Sequence, residues 1–247
     1  METILITGGT GLIGRAQVQH FLSRGYRVAL TYRNEEKIEP FRQSPHVIAL
    51  KAPDLLASEA PRRILSALET QGIFPEHFIH MATDTRWHRM EPDGSASREC
   101  MINHYIVHVV FPYELAFLLA QQAASRLQKI IFISSMYGVV PYNPQVYSNP
   151  LAETPLQYSV SKSALLHLTK ELAIRLRERG IAVNAVSYGG VEGRAQEDLK
   201  ARLAQVTPLR RMMLPAETIP AVEFLLTEDS HYMTGQNIIV DGGRTVW

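Results

Sequence analysis

Thr3-Ile4-Leu5-Ile6-Thr7-Gly8-Gly9-Thr10-Gly11-Leu12-Ile13-Gly14 is the stretch that decides the fold. A short β-branched run stops at glycine, and from Leu12 the apolar residues recur with helical spacing until Gly25. A strand that turns through glycine straight into a helix is the opening of a βαβ unit. Gly8, Gly11 and Gly14 meet three physical needs of a dinucleotide site: a tight turn, close backbone approach to a pyrophosphate, and close helix–sheet contact. Thr10, Leu12 and Ile13 fill the loop and the helix start, where free N–H groups and the positive dipole end face the phosphates. In isolation such a string is also an ordinary glycine turn; its place between the first strand and first helix favours cofactor binding.

The same alternation continues along the chain. Strands are predicted at 3–7, 27–32, 46–50, 77–81, 129–134, 182–187 and 237–240, and helices at 12–24, 58–70, 100–126, 156–179 and 215–226. Ile130-Ile131-Phe132-Ile133 is apolar at every residue, as in parallel strands covered on both faces. In the 100–126 helix, Ile102, Ile106, Val109, Tyr113 and Phe117 form the predicted apolar face, and Pro112 predicts a kink. This pattern predicts an α/β, single-domain Rossmann fold over 1–247: a doubly wound parallel sheet of about seven strands with helices on both faces. The irregular segments 83–98 and 136–154 follow strand ends, where such sheets bind ligands.

Hydrophobic residues make up 46%, enough for a sizeable core, and 25 Lys+Arg against 24 Asp+Glu leave a net charge of +1. That balance argues against nucleic acid or an anionic membrane as a partner. Cys100 has no second cysteine to pair with, which suits a reducing compartment and reads as a buried, inert thiol. The first residues lack a basic, long apolar leader, and 106–120 is interrupted by His108, Pro112 and Glu114, so a core helix and a cytoplasmic location are expected.

The second strand ends Ala29-Leu30-Thr31-Tyr32-Arg33. An NAD site usually offers Asp or Glu there to the ribose 2′-hydroxyl; Arg33 instead suits a 2′-phosphate, so NADP(H) is favoured over NAD(H). The competing reading makes Arg33 a solvated cation. Asp54 suits either the adenine amino group or a helix cap.

Tyr158-Ser159-Val160-Ser161-Lys162 lies on a predicted helix, and a spacing of four puts Tyr158 and Lys162 on one face. Hydride transfer to a carbonyl needs a proton donor at the nascent alkoxide. A nearby ammonium is expected to lower the phenol's pKa and let it work in both directions. Ser135, at the end of the 129–134 strand, is placed to position the substrate oxygen. Tyr-x-x-x-Lys alone also reads as a core tyrosine beside a snorkelling lysine.

Together these strings resemble the short-chain dehydrogenase/reductase family over almost the whole chain. The matching pieces are Thr7 to Gly14, Asp54, Asn103, Ile133-Ser134-Ser135, Tyr158 to Lys162, Val183-Asn184-Ala185-Val186-Ser187, and the tail Thr234 to Gly243. The tail is most similar to the 3-oxoacyl-carrier-protein-reductase-like branch. The resemblance implies a ketoreductase or alcohol dehydrogenase with Tyr158 as acid/base, Lys162 as its ribose-binding partner, Ser135 polarising the carbonyl, and Asn103 holding a relay water. It also places Ala82, Gly189 and Val191 at the cofactor, 192–211 as a lid, and the long helices and last strand in a homodimer or homotetramer. The chain departs from the pattern in three places. Its glycine spacing, and Ser135 lying 23 residues before Tyr158 (158 − 135), are those of the sugar-nucleotide branch. His80-Met81-Ala82-Thr83 replaces Asn-Asn-Ala-Gly, and Tyr188-Gly189 replaces Pro-Gly. Two other functions therefore compete: a non-catalytic dinucleotide-binding regulator, and a nucleotide-sugar epimerase or dehydratase, although few residues remain after Lys162 for the latter's substrate domain.

Further residues have double readings. His104 and His108 have helical metal-ligand spacing without an evident third ligand, so no metal is expected and a structural role is favoured. His80, Arg86, Trp87 and His88 are candidates for the cleft wall. Met136, Tyr137, Tyr142 and Tyr147 suit an aromatic wall for an acyl or ring-bearing substrate, or plain loop packing. Arg194, Lys200, Arg202, Arg210 and Arg211 suit a basic lid over an acidic substrate on a carrier-protein or coenzyme A arm, or a solvated helix face.

Overall fold

The computed structural model describes residues 1–193 and 195–247. In chain order the elements are β1 (Thr3–Thr7), α1 (Leu12–Ser23), β2 (Arg27–Tyr32), α2 (Glu35–Arg42), β3 (Val47–Lys51), α3 (Ala60–Glu69), β4 (His77–His80), α4 (Arg98–Tyr105), α5 (Phe111–Gln121), β5 (Lys129–Ser135), α6 (Pro150–Glu153), α7 (Leu156–Arg175), β6 (Ala182–Tyr188), α8 (Glu197–Gln205), α9 (Ile219–Leu226) and β7 (Asn237–Val240). All seven strands pair in parallel in the order β3-β2-β1-β4-β5-β6-β7. Alternate residues feed two cores. Leu5, Ala29, Phe78, Ile130 and Phe132 pack on α3, α5 and α7. Ile4, Ile6, Val28, Ile79 and Ile131 pack on Val18 and Phe21 of α1 and Val222 and Leu225 of α9. Burial on both faces is why these strands carry no polar alternation.

Strand order reverses between β1 and β4, so their C-terminal ends part and open a crevice. Gly8 enters it at φ +79, and a Cβ there would lie 2.9 Å from the backbone of Ala82. At Gly14 a Cβ would collide with the Gly8 carbonyl oxygen and lie 2.8 Å from Gly9 Cα. Gly9, which spacing alone does not single out, is equally tight: its Cβ would lie 2.9 Å from Leu30.

The 100–126 helix differs from expectation. The helix runs Arg98–Gln121, with a π-helical turn at Ile106–Val110 between α4 and α5. Pro112 lacks an N–H for the regular ladder, and a π turn is a usual way to absorb such a break. The extra residue in the turn rotates the buried face. Cys100, His104, His108, Phe111, Leu115 and Leu119 point inward, whereas Ile102 and Tyr113 of the expected face are exposed. Helices α2 and α8, whose residues are largely charged, were not anticipated from apolar periodicity. Arg98–Gln121 is long and apolar enough to cross a membrane, but half of its apolar window is buried in the protein.

Gly14→Ala is expected to lower unfolding free energy by about 1–3 kcal/mol, since the backbone must shift to admit a methyl. Gly11→Ala, whose Cβ meets only the Gly8 oxygen at 3.2 Å, should cost clearly less. Chemical-denaturation midpoints compare the two.

Candidate active site

α7 carries Tyr158 and Lys162 up to the C-terminal end of β5. The approach is close because Gly138, just after β5, leaves room: a Cβ there would lie 2.9 Å from the Lys162 backbone. The Ser134 hydroxyl donates to the Lys162 carbonyl at 3.0 Å. Lys162 is buried, donates from Nζ to the Ile133 carbonyl at 2.8 Å, and lies 5.7 Å from the Tyr158 ring centroid. Ser135 is buried beside them and caps the next turn by accepting from Tyr137 N at 3.2 Å. Ser135, Tyr158 and Lys162 are thus brought together as the sequence reading expects.

Their electrostatics differ from that reading. Burial drives Lys162 down to about 7. Burial raises Tyr158 above the ordinary phenol value, with the Ser135 hydroxyl opposing the rise and Tyr137 adding to it. In this pocket, desolvation outweighs any depression of the phenol by the ammonium. Tyr158 is therefore held in its protonated form at neutral pH.

Asn103 is half-buried on α4, next to His104. Histidines pack on Tyr158, with ring centroids at 5.3 Å for His88, 6.1 Å for His104 and 5.6 Å for His108. His88 and His104 stack at 5.0 Å. His108 bridges Ser161 Oγ at 2.8 Å and Thr83 Oγ1 at 3.0 Å, tying α7 to the segment after β4. His80 pairs through Nδ1 with Thr7 Oγ1 at 2.8 Å. Desolvation holds all four below the usual histidine pKa: His80 at about 3, His104 at about 4, His108 well below, and His88 lowered. Neutral imidazoles next to the phenol are what the sequence reading left as cleft-wall or structural residues. Two histidines four apart in an otherwise apolar helix were the available signal. Among the described residues no three metal-ligating side chains converge.

The crevice at the strand switch forms a cleft of about 490 Å³. Gly8, Thr10, Gly11, Arg33 and Ala82 line it, as expected, together with Lys37 and Asp84. Gly11 caps α1 without a side-chain hydrogen bond and the first turn holds no acid, so its N–H groups face the cleft unclaimed. The residues fit a dinucleotide: the Gly8 approach leaves no space for a side chain, and a helix N-terminus and two cations line the same cavity. Other candidates sit differently. Leu12 points toward Gly193, where a Cβ would lie 2.9 Å from Leu12 Cδ1, and Ile13 packs into the core under α1. Asp54 is exposed and its carboxylate accepts from Leu56 N at 3.2 Å in a turn ahead of α3, whose N-cap is Glu59, so it does not cap a helix. Gly189 lines a second cavity with Met136 and Asp241, while Val191 forms a β-bridge to Met213. Arg33 also pairs with Asp84 at 2.9 Å.

The basic lid is largely self-neutralised. Lys200 pairs with Glu197 at 2.6 Å, Arg202 with Asp198 at 3.1 Å, and Arg211 with Glu217 at 2.5 Å. Arg210 donates to the Gln205 carbonyl at 3.0 Å, and Arg194 lies outside the described residues. The tyrosines after β5 pack on one another: Tyr137 and Tyr142 lie with ring centroids 3.8 Å apart, the Tyr137 and Tyr147 hydroxyls are 2.5 Å apart, and Tyr137 and Tyr147 pack against Met136 and Val146.

Residues 10–245 match the family model described as enoyl-(acyl carrier protein) reductase. The chain belongs to the short-chain dehydrogenase/reductase family. It is 29% identical over 250 residues to the uncharacterized oxidoreductase YmfI of Bacillus subtilis (strain 168), covering 98% of each chain. It is 28% identical to the 3-oxoacyl-[acyl-carrier-protein] reductase FabG of Rickettsia conorii, covering 98% of this chain and 96% of that one. A short-chain dehydrogenase from Leptospira borgpetersenii, solved with bound NAD+, superposes with TM-score 0.88 at 28% identity, covering 99% of this chain and 92% of that one. The protein is an NAD(P)-dependent oxidoreductase acting on CH–OH or C=O groups.

The histidine cluster makes stability acid-sensitive. These imidazoles are neutral in the fold but protonate near 6.5 when unfolded, so the unfolded chain binds more protons below that pH. Each should then remove about 1.4 kcal/mol of stability per pH unit, from near 6.5 down to its folded value. Thermal unfolding should move to lower temperature between pH 6.5 and 4, and His108→Asn should make that dependence shallower.

Proposed function

We propose that the chain is an NADP(H)-dependent ketoreductase or alcohol dehydrogenase. The carrying observation is the grouping of Ser135, Tyr158 and Lys162 at the C-terminal end of β5, on the same sheet edge as the glycine-lined cleft. When bound, the nicotinamide supplies the hydride. Ser135 donates a hydrogen bond to the substrate oxygen, and Tyr158 delivers its proton to the same oxygen as negative charge develops. Lys162, fixed by the Ile133 carbonyl, is placed to hold the nicotinamide ribose. The neutral His88, His104 and His108 exclude water from one side of the phenol and keep it from ionising.

Arg33 and Lys37 on the cleft wall, with no acid at the end of β2, support the 2′-phosphate preference. Asp84 competes for Arg33, so the preference rests on both cations. A carrier-bound 3-oxoacyl substrate is the reading favoured by likeness to FabG; the paired lid cations lend it no further support. The apolar residues left exposed on α4, α5 and α7 (Ile102, Tyr105, Tyr113, Val160, Ile174) support a homo-oligomer through these helices. Sedimentation as a monomer only would overturn that assembly.

Tyr158→Phe should lower kcat for carbonyl reduction by about 10²–10⁴-fold while leaving the Kd for NADPH within about threefold; a fully active variant would refute the assignment. Arg33→Ala should lower kcat/KM with NADPH by about tenfold and change it little with NADH. A wild-type enzyme that prefers NADH would reverse the cofactor reading.

A further inference from the structure

A short segment after β4 serves both the dinucleotide cleft and the acid/base. Thr83, Asp84 and Thr85 line the cleft. The segment continues into His88, whose ring packs on Tyr158 with centroids 5.3 Å apart. Between them Asp84 closes one short turn, Thr85–Trp87, by accepting from Arg86 N at 3.1 Å.

Helix α7 holds this wall at two points. Gln157, which directly precedes Tyr158, is buried and donates from Nε2 to the Trp87 carbonyl at 2.7 Å and the Arg89 carbonyl at 3.1 Å. That fixes the far end of the segment. One helical turn on, Ser161 directly precedes Lys162 and holds the near end through His108. The Ser161 hydroxyl donates to the Tyr158 carbonyl at 2.9 Å. Its proton is engaged there, so its oxygen accepts from His108 Nδ1–H at 2.8 Å. A neutral imidazole protonated on Nδ1 accepts at Nε2, and the Thr83 hydroxyl donates to it at 3.0 Å. His108 is fully buried with both ring nitrogens used. An apolar side chain would fill the same space without the desolvation cost of two polar nitrogens, so the bridge itself is what the imidazole provides.

We propose that His108 is a positioning residue for the reaction: by tying Thr83 on the cleft wall to Ser161 on α7, it holds Tyr158 in place relative to a dinucleotide bound in the cleft. This rests on the ketoreductase or dehydrogenase reading and adds a residue to its machinery. Misplacing an oriented catalytic group by about 1 Å can cost about 10²-fold in rate. The sequence reading saw in His108 half of a metal-ligand spacing or a structural residue. Its use as a bridge depends on Thr83 and Ser161, 25 and 53 residues away in the chain.

The test uses the full chain with NADPH and three carbonyl probes, ethyl acetoacetate, cyclohexanone and benzaldehyde, and the corresponding alcohols with NADP+. Thr83 is exposed, so Thr83→Val removes the hydroxyl without disturbing the core. Its kcat should fall about tenfold while the Kd for NADPH stays within about threefold, and Thr83→Ser should restore most of kcat. Ser161→Ala breaks the same bridge at its other end, so Thr83→Val/Ser161→Ala should be no slower than the slower single variant. An unchanged kcat in Thr83→Val, no recovery in Thr83→Ser, losses that multiply in the double variant, or a loss confined to the Kd would each overturn the proposal. A second readout needs no turnover. With tyrosine labelled with carbon-13 at Cζ, the Tyr158 resonance, identified by its loss in Tyr158→Phe, should move when NADPH is added to the wild type and clearly less in Thr83→Val. Equal movement in both, including none in either, refutes the positioning role. If the wild type turns over none of the probes, the ketoreductase or dehydrogenase reading fails separately, and this resonance alone decides for His108.

Discussion

The structure depends on a backbone-to-backbone approach at the point where β1 and β4 diverge. Gly8 lies so close to Ala82 that no side chain fits, and Gly14 lets α1 start directly over the same turn. That contact fixes the helix N-terminus at the mouth of the crevice and aligns the ends of β1, β4, β5 and β6 around it. Every functional group described above is referred to this edge: the cleft on one side of it, and Ser135 and α7 at its centre.

Around that edge the protein arranges desolvation more than charge. Lys162 is buried beside Tyr158, and its pKa falls to about 7. Three histidines with depressed pKa values pack on the phenol, His88, His104 and His108. A water-poor, nearly neutral wall favours a protonated tyrosine, which suits proton donation to a developing alkoxide. It also makes any fixed charge nearby conspicuous, because low effective dielectric strengthens its pull on an incoming anion.

The departures from the family pattern make sense in this setting. His80 replaces an asparagine and is absorbed by Thr7 beneath the crevice. His108, in the π turn before Pro112, clamps Thr83 to Ser161, joining α7 to the segment after β4.

The amino-acid sequence alone determined the seven strands and the longer helices between them, the glycine turn, and the Tyr158/Lys162 pair. These are local: apolar periodicity, glycine's freedom and helical spacing of four act within a dozen residues. Tertiary structure alone decided which face of the Arg98–Gln121 helix is buried, because a π turn shifts register without changing composition. It decided that Asp54 caps a turn, that the lid's cations are spent on neighbouring acids, and that Tyr158 is raised in pKa. The buried helix face and the shift at Tyr158 follow from packing and desolvation among residues distant in the chain, which leave no periodic trace in a single sequence, whereas the Asp54 turn and the lid pairs are local contacts that only the folded backbone selects.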